Sequence, residues 1–569
     1  MHVLGISCYY HDSAACLLKD GEVLAAVAEE RFTRIKHDNS FPVNSITFCL
    51  NFANIAANEI DKVVFYEKPI IKFDRIIQQH LDNFPKSIGA SMDTMSHWFD
   101  QKLQVEKKLK EIFLYQGKML YCPHHLSHSA SAFYLSGFKE SAILTLDGVG
   151  EWSTTTLGHG KANNIFVDKE IHFPHSLGLF YSTITTYLGF SANNAEYKVM
   201  GLASYGDPQV YLSHFDKLIT QFNDGSFQLN MDYFSFDWSN RSMFSAKLSD
   251  LFGHPSRSAE SKINKYHKDI AASLQFKLEE VVLKILNKAY SQYKLPNLCL
   301  SGGVALNSVL NGKILTHTPF KKLYIPPAPG DAGGAVGAAL YCYVQSTQKP
   351  IKHALFNPYL GPSYPWYRIK KTIDKYQLKC SRPLKRDKLI KKVATLLKQQ
   401  KIIGWFQGRM EWGPRALGNR SILASAATIQ MRDIINQKVK HRELFRPFAP
   451  VILEEFTKDY FKIDHNLPIS ARYMLMVYPF KKKGYKNVPA VVHVDGSGRL
   501  QTLAKKDNPL YYDLIKEYQN LTKVPIIINT SFNVRGEPIV CTPDDAIKCF
   551  LKTDIDFLVI GNYICQKNT

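Results

Sequence analysis

The sequence is poor in the features that mark exported, membrane-spanning or zinc-ribbon proteins. Its 569 residues hold ten cysteines with no CxxC pair, and several lie in apolar runs such as Leu298-Cys299-Leu300. That pattern argues against zinc ribbons and disulfide scaffolds. No stretch reaches about 18 uninterrupted apolar residues, so a membrane-spanning helix is not expected. The opening Met1-His2-Val3-Leu4 lacks the basic start and long apolar core of a secretion signal, and a reducing cytoplasm is the expected location. Acidic residues are also scarce: 50 Asp and Glu face 71 Lys and Arg, a formal net charge of +21. This balance suits partners rich in phosphate, namely nucleic acid, nucleotide or an anionic membrane surface. Part of the excess lies in the run from Arg368 to Lys401, whose spacing suits solvated helix faces. With 45 % hydrophobic and 21 % charged residues the chain is neither disordered nor fibrous, and its length predicts at least two domains.

What is present is repetition. From His2 to Glu30 the pattern reads as a strand, the turn His11-Asp12-Ser13, a strand Ala14–Lys19, the turn Asp20-Gly21 and a third strand through Val27. Residues 141–168 repeat it: Ala142–Leu146, the turn Asp147-Gly148-Val149-Gly150, then Ser153–Leu157 and a strand opening at Ile165. Two such units suggest homologous halves, each turn offering backbone N–H groups and an Asp to a phosphate or its metal. Ile263–Gln292 is helical in period. Two strand–loop–helix units follow, with loops Ser301-Gly302-Gly303 and Pro326–Gly334, where glycine would let a ligand approach the backbone at a helix start. A Pro-rich stretch from Lys349 to Pro365 marks a domain boundary, placed at 352/353. Beyond it the pattern is mixed α/β, with strands at Ile402–Phe406, Pro447–Leu453, Ala490–His493 and Val524–Asn529. Helices are expected at Thr428–Val439, Pro509–Asn520 and Pro543–Lys552.

Three groups of residues point to chemistry. His124 and His128 are four apart, which puts both imidazoles on one helix face; with Asp147 and Asp331 they make a set suited to Fe(II), Mn or Zn. His11, beside Asp12, is placed to take a proton from a substrate hydroxyl, or to bond backbone as a turn histidine. Lys36, in Arg31–Asp38, either neutralises a phosphate or lies in solvent. In the second domain Gly408–Ser421 packs Arg409, Arg415 and Arg420 into one glycine-rich loop, and Lys440, Arg442, Arg446 and Arg499 add further cations. Arg forks suit phosphate and carboxylate oxygens, and Asn529 to Asn533 offers small polar side chains to a nucleotide or carbonyl.

Met1–Asp12, Glu29–Asp38, Pro123–Phe133, Val199–Gly206, Ser301–Asn307, Pro329–Gly334, Gly408–Ser421, Phe445–Pro450 and Asn529–Pro538 together resemble the NodU/CmcH-type O-carbamoyltransferases over nearly the whole chain. The motifs GRMEWGPRALGNRSI and NTSFNVRGEP are the most specific. The sequence departs from the family pattern at Tyr197 and Ser204, where Gly and Pro are expected. The resemblance implies an α/β chain: a duplicated actin-like ATPase fold over 1–352 and a YrdC-like domain over 353–569. It implies that carbamoyl phosphate and ATP, with Mg²⁺, give carbamoyl-adenylate and pyrophosphate in the second domain. The carbamoyl group then passes to a hydroxyl of a sugar or natural product in the first, near iron or another divalent transition metal. On this reading His124, His128, Asp147 and Asp331 are metal ligands, and His11 and Lys36 are catalytic. Ser301, Gly302, Gly303 and Asn307 form a nucleotide loop, while Arg415, Lys440, Arg446, Arg499, Asn529 and Ser531 contact carbamoyl phosphate and ATP. No membrane or nucleic-acid partner is expected; a homodimer is left open. Two rivals stand beside it: a nucleic-acid-binding protein using the basic surface, and a sugar kinase or ATPase using only the first domain. The acceptor is not legible in these residues.

Overall fold

The computed structural model describes residues 1–100, 102–351, 357–443 and 445–567. Its contacts divide the chain into two compact units: Met1–Glu29 with His37–Phe356, and Glu30–Lys36 with Asn357–Thr569. The expected boundary at 352/353 lies outside the described residues. The excursion of Glu30–Lys36 into the second unit has no composition signal in the sequence.

In the first unit, β1 (His2–Ser7), β2 (Ala14–Lys19), β3 (Glu22–Ala28), β4 (Lys62–Phe65) and β5 (Met119–Tyr121) form a sheet in the order β3-β2-β1-β4-β5. The first three are antiparallel and the last two run parallel to β1. A second sheet comprises β6 (Glu140–Leu146), β7 (Ser153–Lys161) and β8 (Asn164–His172). After a small ribbon of β9 (Ile219–Gln221) and β10 (Phe227–Leu229), it is completed by β11 (Asn297–Ser301) and β12 (Lys322–Tyr324). Its order, β8-β7-β6-β11-β12, repeats the first sheet strand for strand, with the same directions. The halves are therefore duplicates, as the repeated turns suggest. β1 is buried from Val3 to Ser7 rather than alternating, because helices cover the sheet and bury both faces.

The helix Asp331–Thr347 packs on β1, β2 and the helix His124–Ser136. Here the structure corrects the expectation for Pro326–Gly334. A Cβ on Gly333 would collide with the carbonyl oxygen of Ala328, one on Gly334 with Tyr66, and one on Gly337 with the carbonyl oxygen of Ser127. These glycines make room for protein rather than for a ligand.

The second unit is built on a nine-stranded sheet. Its strands are β13 (Lys379–Cys380), β14 (Ile403–Phe406), β15 (Arg420–Ser425), β16 (Ala449–Leu453), β17 (Met476–Pro479), β18 (Ser497–Leu503), β19 (Ile526–Ser531), β20 (Phe557–Ile560) and β21 (Tyr563–Gln566). Their order is β13-β21-β20-β14-β15-β19-β16-β18-β17. The helices Arg386–Lys398 and Pro509–Thr522 pack side by side over it, and Leu389, Val393, Trp405, Val451, Leu514, Ile527 and Val559 share one core. The basic run behaves as expected in Arg386–Lys398: Leu389, Val393 and Leu397 are buried while Lys391, Lys392 and Lys398 are exposed. The strand expected at Ala490–His493 is instead a short 3-10 turn at Pro489–Val491, and a turn from His493 to Ser497 delivers the chain into β18. Local β propensity there loses to Pro489 and the Asp495-Gly496 turn. The helix at Thr428–Val439 forms as Ile429–Ile434 and widens into a π turn over Ile435–Val439.

Cys380 and Cys565 are disulfide-bonded at paired positions of β13 and β21, which the sequence conceals because they are 185 residues apart. The other eight cysteines are buried thiols. Among the described residues, no helix is long and apolar enough to cross a membrane.

Candidate active site

The first unit gathers His124, His128, Asp147 and Asp331 into one buried cluster whose four ligand atoms lie within 4.8 Å of one another. The geometry follows from the duplication. Asp147 leaves β6, Asp331 opens the helix after β12, and the two histidines lie on the first turns of His124–Ser136. His124 Nε2 is 2.8 Å from Asp147 Oδ2 and 3.1 Å from His128 Nε2. Asp331 Oδ1 lies 3.8 Å from His124 Nε2 and 3.7 Å from His128 Nε2. Gly303 N donates to Asp147 Oδ1 at 2.9 Å, so a glycine expected to touch nucleotide orients this carboxylate.

These residues fit a metal ion. Two imidazole nitrogens facing each other can be satisfied by only one hydrogen, whereas a cation satisfies both. Metal–nitrogen bonds of about 2.0–2.1 Å place two nitrogens on one ion roughly 3 Å apart. Asp331 Oδ2 is buried without a hydrogen-bond partner among the described residues, a further donor atom for the same ion. Burial raises the Asp147 carboxyl, but the two histidines outweigh it and hold the group well below the usual range. For His128, burial lowers the pKa, while hydrogen bonds to Asp147 and Asp331 carry it up to about 9. Cations in this pocket are thus strongly favoured.

The shell around the cluster escaped the sequence reading. Glu67, buried at the end of β4, pairs with Lys72 at 2.5 Å and lies 3.9 Å from His124 Nδ1. Glu151 accepts from the backbone N–H of His124 at 2.9 Å and of Lys68 at 2.8 Å. His125 sits between Thr145 Oγ1 and the Ser153 carbonyl, and burial, with His124 beside it, pushes it down to about 3. Of these, only Glu151 carried a signal, being four residues beyond Asp147 in an acidic turn.

His11 joins a second group with Asp12 and His37. Asp12 Oδ2 lies 3.0 Å from His11 Nδ1 and Asp12 Oδ1 lies 2.9 Å from His37 Nδ1, while His11 Nε2 bonds the Asn193 carbonyl. Burial opposes the charge on His11, but the contacts with Asp12 overcome it and raise the pKa to about 10. His11 therefore carries a proton in this arrangement. Lys36 ends the segment that packs with the second unit.

Two candidates in the loop after β11 have side chains already engaged. Ser301 Oγ bonds the Pro329 carbonyl at 3.2 Å. Asn307 caps the helix Ser308–His317 through Leu310 N at 3.0 Å and pairs with Gln275. Gly302 has φ +93, and a Cβ there would meet the Leu146 carbonyl.

In the second unit the candidate cations fall at one end of neighbouring strands. Ser421 pairs with Ser531, Ala449 with Asn529, and Val451 with Gln501, which brings the strand ends following Arg415 and Arg446 level with Ser531 and Arg499. Lys440 is buried, and its Nζ donates to Ser531 Oγ at 3.3 Å, Asn533 O at 2.9 Å and Asn533 Oδ1 at 2.8 Å. Burial, reinforced by Arg442 and Arg446, lowers its pKa well below the usual lysine value. Asn529 Nδ2 donates to Gln501 Oε1 at 2.6 Å and to the Ala416 carbonyl at 3.2 Å. The three arginines of the glycine-rich loop do not act alike. Arg420 is fully buried, bonds the carbonyls of Asn419, Pro362 and Gly408, and stacks on Phe406 at 3.7 Å. Arg409 bonds the carbonyls of Gly361 and Leu360. Both hold the chain's own backbone, and Glu411 organises the loop by accepting from Leu417, Asn419 and Arg420 N–H groups.

A duplicated sheet with this crossover order, carrying carboxylates on the turns that follow its inner strands, is the actin-like ATPase fold. The chain belongs to the carbamoyltransferase family: the profile described as "Carbamoyltransferase N-terminus" matches residues 2–340, and "Carbamoyltransferase C-terminus" matches residues 394–567. It is 45% identical to an uncharacterized protein of Synechocystis, over 100% of this chain and 97% of the other. It is 36% identical to nodulation protein NolNO of Sinorhizobium fredii, over 99% and 80% of the two chains. Nodulation protein U of the same species is 28% identical over 94% of each. The chain is a carbamoyltransferase enzyme.

Proposed function

We propose that the chain is an ATP-dependent O-carbamoyltransferase working in two steps, with residues 1–352 as the transfer domain and 353–569 as a YrdC-like activating domain. The observation that carries this reading is the separation of charge into two sets. One is a buried histidine–carboxylate centre in the first unit; the other is a group of cations at one sheet end of the second.

In the second domain, hydrolysis of carbamoyl phosphate yields carbamate and phosphate. A carbamate oxygen then attacks the α-phosphorus of ATP, and the bond to pyrophosphate breaks. Arg415, Arg446 and Arg499 offset the repulsion between two polyanions and the charge that builds up on the leaving pyrophosphate; Mg²⁺ accompanies the ATP. Lys440 fixes the Ser531–Asn533 turn. In the transfer domain the acceptor hydroxyl attacks the carbamoyl carbon and AMP departs. His124, His128, Asp147 and Asp331 would hold Fe(II) or another divalent transition metal, which supplies Lewis-acid polarisation of the carbamoyl oxygen. His11 accepts the hydroxyl proton once its own has left. Asp331 is among the groups that raise its pKa, so positive charge bound at Asp331 favours the neutral imidazole. Carbamoyl-adenylate is labile in water, which favours one chain holding both steps in the cytoplasm, where both substrates are made.

The test is pyrophosphate release that depends on carbamoyl phosphate, followed by mass spectrometry of a cell extract supplied with isotopically labelled carbamoyl phosphate. A labelled carbamate ester of a hydroxylated metabolite is expected. ATP cleavage to ADP without carbamoyl phosphate would point instead to a kinase of the same fold and overturn the reading.

A further inference from the structure

Beside the metal cluster the first unit gathers three cations, of which only Lys72 has a carboxylate at hydrogen-bonding distance among the described residues. Lys72 and Arg75 come from the helix Pro69–Asp82 and Lys102 from a short turn at Lys102–Gln104. All three gather near Tyr10, the residue before His11. Lys72 Nζ lies 4.1 Å and Lys102 Nζ 5.7 Å from the centre of the Tyr10 ring, and the Tyr10 hydroxyl lies against Gly148, next to Asp147. The local carboxylates are already committed. Glu67 is paired with Lys72, Glu151 holds the backbone N–H groups of Lys68 and His124, and Asp147 and Asp331 belong to the metal set.

Among the described residues, neither Arg75 nor Lys102 has a carboxylate at hydrogen-bonding distance; Glu67, already paired with Lys72, acts on both only from farther away. Arg75 is 5 % exposed; its Nη1 donates to the neutral Gln79 Oε1 at 3.0 Å, its guanidinium lies 4.9 Å from the Phe173 ring centre, and its Nε has no hydrogen-bond partner among the described residues. Lys102 touches only rings among the described residues, with Nζ 4.8 Å from the Trp98 centre. Burial and the neighbouring Lys72 push Lys102 down to about 8. A buried guanidinium nitrogen without an acceptor and an ammonium crowded by a second one are costly to the free protein. Such an arrangement is suited to a ligand that brings the missing negative charge.

We propose that the hydroxyl acceptor carries an anionic group, a phosphate or a carboxylate, which Arg75 and Lys102 bind beside the transfer centre. This rests on the reading of the first unit as the transfer domain. It narrows the acceptor class to phosphorylated, nucleotide-linked or acidic sugars and similar hydroxy acids. AMP-bearing intermediates also carry phosphate, so the test must separate the two sources.

Binding of inorganic phosphate, glucose 6-phosphate, glucose and AMP is measured by calorimetry on the metal-loaded full chain, in an Arg415→Ala/Arg446→Ala background that weakens anion binding by the second unit. The phosphate-bearing probes are expected to bind and glucose not to. Arg75→Gln and Lys102→Gln are each expected to weaken phosphate binding by about 10- to 100-fold, the loss of one charge-assisted contact. Arg75→Lys, which keeps the charge, is expected to lose less, and AMP to bind alongside phosphate. Should Arg75→Gln fail to fold, Lys102→Gln, at a half-buried position, decides alone. Phosphate binding that disappears in the background variant, or that the Lys102 change leaves untouched, would overturn the proposal. So would strict competition with AMP, which assigns the cations to the adenylate. Pyrophosphate release is followed separately on the wild type, so a failure of the two-step reading is told apart from a failure of this one.

Discussion

Replacing His124 by asparagine isolates the metal from the rest of the machinery. His124 Nε2 is the atom nearest the middle of the cluster, 2.8 Å from Asp147, 3.1 Å from His128 and 3.8 Å from Asp331. Asparagine is shorter and cannot return a nitrogen to that point. Loss of a partner that merely orients a ligand costs about 10- to 100-fold in metal affinity, so loss of the ligand itself is expected to cost at least that. If polarisation of the carbamoyl oxygen contributes about 4 kcal/mol to the transition state, its removal slows transfer about 10³-fold. Three measurements on one preparation test this: metal content by elemental analysis, formation of labelled carbamoyl product, and pyrophosphate release driven by carbamoyl phosphate. The first two are expected to collapse, and the third to stay within about twofold of wild type, since a twofold change is under half a kcal/mol. A His124→Asn protein that transfers at the native rate, or a wild type that binds no metal, refutes the transfer-site model. Loss of pyrophosphate release in a folded variant would refute the separation into two sites.

Four further outcomes are expected. His11→Asn keeps its metal and its pyrophosphate release but loses transfer; a metal-free preparation would show that His11 is structural. Arg415→Ala or Arg446→Ala lowers pyrophosphate release about 30- to 1000-fold, the effect of about 2–4 kcal/mol in the transition state, and wild-type release from both would remove the assignment of the first step. His11, raised to about 10 by Asp12 against burial, stabilises the fold fully below its unfolded value near 6.5. That contribution fades as pH climbs toward 10, so the melting temperature is expected to decline over this window, and less steeply in His11→Asn. Gly337→Ala drives a methyl group into the carbonyl of Ser127 and is expected to destabilise the first unit by about 1–3 kcal/mol, visible as a lowered melting midpoint; an unchanged midpoint would show that the two helices can part without cost.

The legible part of the site was the part governed by local spacing. His124 and His128 share a face because helical period puts them there, and Asp147 and Asp331 stand out because each follows an apolar strand. Glu67 is invisible in the same terms: it pairs locally with Lys72, but its place 3.9 Å from His124 Nδ1 is a tertiary fact that no spacing announces. Glycine and arginine misled for a related reason. The pattern Asp331-Ala-Gly-Gly reads equally well as a ligand cradle or as a helix packed against backbone, and only the positions of Ala328 and Ser127 decide. Arg409, Arg415 and Arg420 look alike in one loop, yet Arg409 and Arg420 bond main-chain carbonyls, and side-chain direction is not encoded in residue density. At Ala490–His493 the run of β-branched residues pointed to a strand, but Pro489 and the following Asp-Gly turn set the backbone.

The segment Glu30–Lys36 has a consequence for how the molecule is made. Arg31 donates to the Gly413 carbonyl at 3.0 Å, and Arg34 to those of Pro538 and Ile539 at 2.7 and 2.6 Å. Phe32 packs against a small core of Met410, Ala416, Ile539 and Cys541. Arg34 precedes Ile539 by 505 positions, so at a synthesis rate of about 5–20 residues per second the segment leaves the ribosome roughly 25–100 s before its seat exists. The first unit must close around a gap in its own sequence during that interval, holding two arginines and a phenylalanine in reserve. The second unit, though last to be translated, then finishes folding on a piece of chain that was among the first.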